Sequence, residues 1–143
     1  MQPLQYAGDM TPEKTWETLK TDPNSVLIDV RTPEEWSWIG VPDLSSLPGR
    51  KLQLVPWQIY PDMHQNPDFV ADVSKITKPE DDKVILLICR SGVRSAYGAS
   101  LLTANGFKHC YNVAHGFEGD KDKHGHRGTV NGWKVTGMPW RQE

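Results

Sequence analysis

"KVILLICRSGVRSAYGASLLTANG", Lys83 to Gly106, decides the fold. Its first seven residues, Lys83 to Cys89, are nearly all apolar, which suits a strand covered on both faces. Ser95 to Asn105 predicts a helix, with Ala99, Leu101 and Leu102 as apolar contacts and Gly106 as a left-handed terminator. Between them lie Arg90, Ser91, Gly92, Val93 and Arg94. A strand that ends at Cys89 and a helix that starts at Ser95 leave these five residues to turn tightly, and Gly92 eases the turn.

Outward from this unit, strands and helices alternate. Thr11-Pro12-Glu13 reads as a helix start: threonine caps free amides and proline suits the first turn. "VLIDV", Val26 to Val30, is a β-branched run suited to a strand. "TPEEW" repeats the helix-start chemistry, with Thr32 and Glu35 spaced as a capping box. "LQLVP", Leu52 to Pro56, predicts a short strand, and Asn66-Pro67 opens another helix with Phe69, Val73 and Ile76 on one side. "HCYNV", His109 to Val113, predicts one more strand. The economical architecture is an α/β domain with a parallel sheet covered on both faces by helices. Sites in such folds form beyond the carboxyl ends of strands, where Cys89 lies.

The 143 residues allow one domain with a real core. The net charge of −2 favours neither nucleic acid nor an anionic membrane as partner. No apolar run approaches the roughly 18 residues of a membrane span. "MQPLQYAGDMTPEKTW" does not read as a signal peptide. The two cysteines, Cys89 and Cys110, suggest no disulfide framework, so a reducing, cytoplasmic setting is expected. A monomer is expected.

The Cys89 loop carries the chemistry. Successive amides around Gly92 form an anion-binding nest, and the next helix adds its N-terminal amides and dipole. Such a setting favours a thiolate. Arg90 and Arg94 add positive charge if they turn inward, and the same donors hold an anionic substrate or a charged sulfur intermediate. Ser91 and Ser95 are hydroxyl donors, although Ser95 serves equally as a helix cap. The plainer alternative is that Cys89 is core and the arginines face solvent; strand, cysteine, glycine, paired arginines and helix start together favour the reactive reading.

Other residues weigh less. Cys110 reads as core rather than as a resolving thiol. His124 and His126 are too few for a zinc site, and neither metal nor cofactor is expected. The run "GFEGDKDKHGHRGTVNG", Gly116 to Gly132, reads chiefly as a solvated loop, with a substrate lip as the alternative. "GWKVTGMPW" offers Trp133, Val135 and Met138 to dock the tail. Trp57, after Pro56 at a predicted strand end, is the tryptophan expected nearest the site.

The motif Cys89-Arg90-Ser91-Gly92-Val93-Arg94-Ser95 resembles the active-site loop of single-domain rhodanese-like sulfurtransferases. "LIDVRTPEEW", "YNVAHGFEG" and "GWKVTGMP" resemble further segments of that family. The resemblance implies a three-layer fold, a single domain over 1–143 with its core at about 11–139, and a central, mostly parallel sheet. It also implies that Cys89 takes a sulfane sulfur from thiosulfate or another persulfide donor, becomes a persulfide, and passes the outer sulfur to cyanide or a thiol, which a protein can carry. On that reading residues 90 to 95 cradle the charge, with Arg90 and Arg94 assisting; Asp29 and Arg31 organise polar contacts rather than react. "WIGVPDLSSLPG" departs from the Gly-His-Ile and Gly-Ala pattern common in the family, so a different pocket wall is expected. Two alternatives stay open. A cysteine-dependent phosphatase of the same fold is disfavoured because its loop is one residue longer than the four between Cys89 and Arg94. A non-catalytic binding module is disfavoured by the retained cysteine.

Overall fold

Two apolar faces of one sheet organise the chain. The computed structural model describes residues 4–142. In chain order the elements are β1 (Gly8–Met10), α1 (Pro12–Thr21), β2 (Ser25–Asp29), α2 (Pro33–Ile39), β3 (Val41–Pro42), β4 (Gln53–Leu54), β5 (Gln58–Ile59), β6 (His64–Gln65), α3 (Phe69–Ser74), a 3-10 turn (Pro79–Asp81), β7 (Val84–Ile88), α4 (Val93–Ala104), β8 (His109–Val113) and β9 (Trp140–Arg141). The main sheet has the order β1-β8-β7-β2-β4, and every pairing in it is parallel. The small pairs β3–β9 and β5–β6 are antiparallel.

Strand alternation divides the core. On one face Val26, Ile28, Ile85 and Leu87 pack with Phe69 and Val73 of α3 and Ala99 and Leu102 of α4. On the other, Leu27, Leu86 and Ile88 pack with Leu19 of α1 and with Leu44, Phe117 and Trp133. This is a mixed α/β fold with a mostly parallel central sheet flanked by helices. Leu27, Ile28, Leu86, Leu87 and Ile88 are fully buried. Each such side chain contributes about 1.5–3 kcal/mol relative to exposure. The central strands therefore hold Cys89 in a rigid place.

The helix starts follow local chemistry. Thr11 accepts from the Lys14 amide at 3.1 Å. Thr32 and Glu35 form the reciprocal capping box. Asn105 ends α4, and Gly106 follows with φ of +96°. Trp133 is fully buried, its indole donates to the Pro139 carbonyl at 2.7 Å, and Met138 packs beside it, whereas Val135 stays 39% exposed.

Several boundaries differ from expectation. Helix α4 starts at Val93 rather than Ser95, because Gly92, at φ +101°, itself makes the turn. The strand expected over Leu52 to Pro56 is reduced to Gln53–Leu54. The helix expected from Asn66-Pro67 starts at Phe69, because the Asn66 side chain accepts from the Asp68 amide and holds a turn there. Edge strand β1 and the hairpin β5–β6 have no counterpart among the predicted strands.

Candidate functional site

Cys89 follows the last residue of β7 and is 1% exposed. Two polar groups meet its sulfur. The Gly92 amide and the Ser95 hydroxyl each lie 3.1 Å from Sγ. The left-handed Gly92 turns the first amide inward. The amides of Val93, Arg94 and Ser95 open α4, and they have no acceptor among the described residues.

Ser95 is therefore no helix cap. It is fully buried in the first turn of α4, where its hydroxyl also makes a short hydrogen bond to Asn112 Oδ1. The hydroxyl has one proton, which this short bond gives to Asn112, so its oxygen is what faces Sγ. Asn112 sits on β8 with its orientation fixed: its amide donates to the Gly92 carbonyl at 3.0 Å and to Asp9 Oδ1 at 3.1 Å. Asn112 thus braces both groups that contact the sulfur. Sequence reasoning passed over it; the signal was a polar side chain inside the apolar strand "HCYNV".

The segment after β8 closes the loop from behind. The Phe117 amide donates to the Cys89 carbonyl at 2.7 Å, and the Glu118 amide to the Arg90 carbonyl at 3.0 Å. Gly116 permits this approach. A Cβ there would lie 2.6 Å from the Arg90 carbonyl carbon, and its φ is +64°.

The arginines divide. Arg90 is exposed at the rim of a cavity of about 590 Å³. Arg94 also lines the cavity, but its guanidinium is committed to a bidentate pair with Glu35 at 2.7 and 2.8 Å. It thus reaches the site as half of an ion pair, not as a free cation. Burial alone would push the Glu35 carboxyl up; the hydrogen bonds and charge of Arg94, with the Thr32 amide, outweigh it and hold the carboxyl below its ordinary value. Arg94 is raised in turn: burial opposes its charge, and the Glu35 partner more than offsets that.

A prediction follows from the sign. A carboxyl held low when folded adds stability above its unfolded pKa and loses it as pH falls through the folded one. Glu35→Gln keeps the side-chain shape and the capping position but removes the charge. Because the pair is partly solvated, the expected loss is about 1–2 kcal/mol near neutrality. Urea unfolding of the two proteins at neutral pH and at about pH 3 should show that difference shrink on acidification.

The other wall of the cavity comes from Thr32, Glu34, Trp38 and Ile39 on or beside α2, and from Gln58, Tyr60 and Met63 in the β5–β6 hairpin. Ser91 and Val93 of the loop line it; Cys89 lies beneath them and outside the lining. Trp57 is elsewhere. It is buried with its ring edge-on to Phe69, centroids 5.0 Å apart, so the core takes it and its neighbours Gln58 and Tyr60 face the cavity. From the Gly116 to Gly132 run, Arg127 reaches the cavity wall. Cys110 is buried and unbridged, and burial pushes its thiol up to about 11. Among the described residues no cluster of three metal-ligating side chains occurs, and no helix is long and apolar enough to cross a membrane.

Comparison with known proteins agrees with this architecture. The family model described as the STR4 middle domain matches residues 7–143. The crystal structure of Rv0390 from M. tuberculosis is 44% identical, with a TM-score of 0.85 over 97% of this chain and 100% of that one. An uncharacterized protein of Rickettsia rickettsii, an RP600 homolog, is 36% identical over 129 residues, 90% of this chain and 92% of the relative. The thiosulfate sulfurtransferase GlpE of Actinobacillus succinogenes is 28% identical over 131 residues, 92% of this chain and 87% of its own length. The crystal structure of a rhodanese-like domain protein from Staphylococcus aureus, 25% identical over 76% of this chain and 86% of that one, superposes with a TM-score of 0.54, so the fold is rhodanese-like, and the chain belongs to the STR4 middle-domain family.

Proposed function

We propose that this protein is a sulfurtransferase working through a persulfide on Cys89. One observation carries the reading: the Gly92 amide points at Sγ from 3.1 Å beside the unpartnered first amides of α4, an arrangement that suits a negatively charged sulfur. In the first half-reaction the Cys89 thiolate attacks the outer sulfur of thiosulfate. An S–S bond forms to Cys89, the sulfur–sulfonate bond breaks, and sulfite leaves with the electron pair. In the second, cyanide or a thiolate attacks the terminal sulfur of the persulfide. The S–S bond breaks, its electron pair returns to Cys89, and thiocyanate or a new persulfide departs.

The free amides of Val93 and Arg94 and the exposed Arg90 hold the incoming anion; the Arg94–Glu35 pair keeps that first turn in place. Ser91, Gly92, Val93 and Ser95 form the cradle. The thiosulfate sulfurtransferase among the relatives lends support to thiosulfate as donor.

The test is intact mass of the reduced protein after thiosulfate treatment, read without reductant, beside Cys89→Ala. The expected result is a gain of one sulfur atom that requires Cys89. No gain from thiosulfate or from an inorganic polysulfide, with the protein folded, would overturn the reading.

A further inference from the structure

The run from Gly116 to Gly132 is cross-braced throughout. Asp120 and Asn131 exchange hydrogen bonds, amide to Oδ1 at 2.8 Å and Nδ2 to Oδ2 at 3.0 Å. Asp122 accepts from the His124 and His126 amides at 2.8 and 2.9 Å and from the Thr129 hydroxyl at 2.7 Å. The Gly128 amide donates to the Glu118 carbonyl at 2.8 Å. An idle solvated loop needs none of this bracing. What it holds in place is Arg127, anchored to the Gly119 carbonyl at 2.7 Å and set into the wall of the cavity above the Cys89 loop.

The cavity is larger than the simple anions of a sulfur-transfer assay require. Its roughly 590 Å³ lies in the range of organic ligands. Trp38, Tyr60 and Met63 supply apolar surface, and Trp38 and Tyr60 are 71% and 52% exposed. Arg127 forms no ion pair among the described residues and has guanidinium donors to spare. Glu34, which also lines the cavity, is likewise without an ion pair among them. The Arg94 and Glu35 charges cancel each other. With Arg90 assigned to the sulfur donor's anion, what remains is one cation, Arg127, and one anion, Glu34, beside an apolar surface, a match for an organic zwitterion.

Resting on the sulfur-transfer reading, we infer that Arg127 is a specificity-determining residue that binds the carboxylate of the sulfur acceptor, a thiol of the amino-acid or peptide class. Its thiolate attacks the terminal persulfide sulfur; the outer sulfur leaves on the acceptor and the electron pair of the broken bond stays on Cys89. Glu34 receives the acceptor's ammonium group.

The test separates acceptor from donor chemistry. Wild type and Arg127→Gln are loaded with sulfur from thiosulfate and freed of donor, and sulfur loss is followed by mass with two probes, glutathione and its diethyl ester, which lacks both carboxylates. Wild type should prefer the free acid by about tenfold, the scale of one charge-assisted hydrogen bond. Arg127→Gln should lose most of that preference, and Arg127→Lys should regain part of it. An unchanged ratio in Arg127→Gln overturns the assignment while leaving sulfur transfer standing. Failure of the folded wild type to load from thiosulfate or from an inorganic polysulfide overturns both.

Discussion

Cys89→Ser protein is expected to fold as the parent does and to form thiocyanate from thiosulfate and cyanide at least on the order of 10⁴-fold more slowly. The two halves have separate causes. Serine places a slightly smaller oxygen where Sγ lies, and its hydroxyl can accept from the Gly92 amide and donate to Ser95 Oγ, so no buried polar group is orphaned. Stability should change by no more than about 1 kcal/mol, read from the urea midpoint. Chemistry fares differently. A hydroxyl stays protonated at neutral pH, and a neighbouring amide donor does not bring an alcohol within reach of ionisation. Attack by oxygen on a sulfane sulfur would also form an O–S bond in place of an S–S bond, which stores no transferable sulfur. Turnover within a few fold of wild type would show that Cys89 is not the carrier and that its donors serve only packing.

The sheet was legible because its strands are buried on both faces. Val26 to Val30 and Lys83 to Cys89 need no partner to be read as strands; only covered strands tolerate such continuous apolarity. Both threonine caps were equally legible, because capping is local chemistry. What escaped depends on distant residues. β1, "GDM", has no apolar signature of its own and exists because β8 offers it an edge. Trp57 looked site-proximal from its strand end, but a large ring facing Phe69 is held by the core, and the polar Gln58 turns outward instead.

At the site, the loop was readable as a unit and its electrostatics were not. The order of Cys89, Gly92 and the helix start states a cradle. Nothing within that stretch says that Glu35, fifty-nine residues away in sequence, pairs with Arg94. Asn112 and Arg127 also arrive from remote segments. Asn112 left a trace as a polar residue in a strand; Arg127 was legible only as one of several charged residues of a candidate substrate lip, and only the folded loop singles it out.

Arg31→Leu is expected to destabilise the protein by about 3–5 kcal/mol, a large part of the stability of a domain this size. Asp29 and Arg31 are both fully buried. The guanidinium meets the carboxylate with Nε to Oδ1 at 3.0 Å and a terminal nitrogen to Oδ2 at 2.7 Å, and that nitrogen also donates to the Gly40 carbonyl at 2.7 Å. Its plane lies over the Phe117 ring, 4.4 Å from the centroid. One side chain thus ties the end of β2 to the cap of α2 and to the segment that closes behind the Cys89 loop. Leucine fills part of the volume but strands the Asp29 carboxylate without its countercharge and leaves the Gly40 carbonyl without this donor. The cost is mainly the penalty of a lone buried charge, not the worth of the pair. The double variant Asp29→Leu with Arg31→Leu removes both charges and should recover a large part of the loss, which urea unfolding of the single and double variants would measure. If the single variant cost less than about 1 kcal/mol, the pair would be dispensable, and the geometry around Gly40 and Phe117 would have to be held by apolar packing alone.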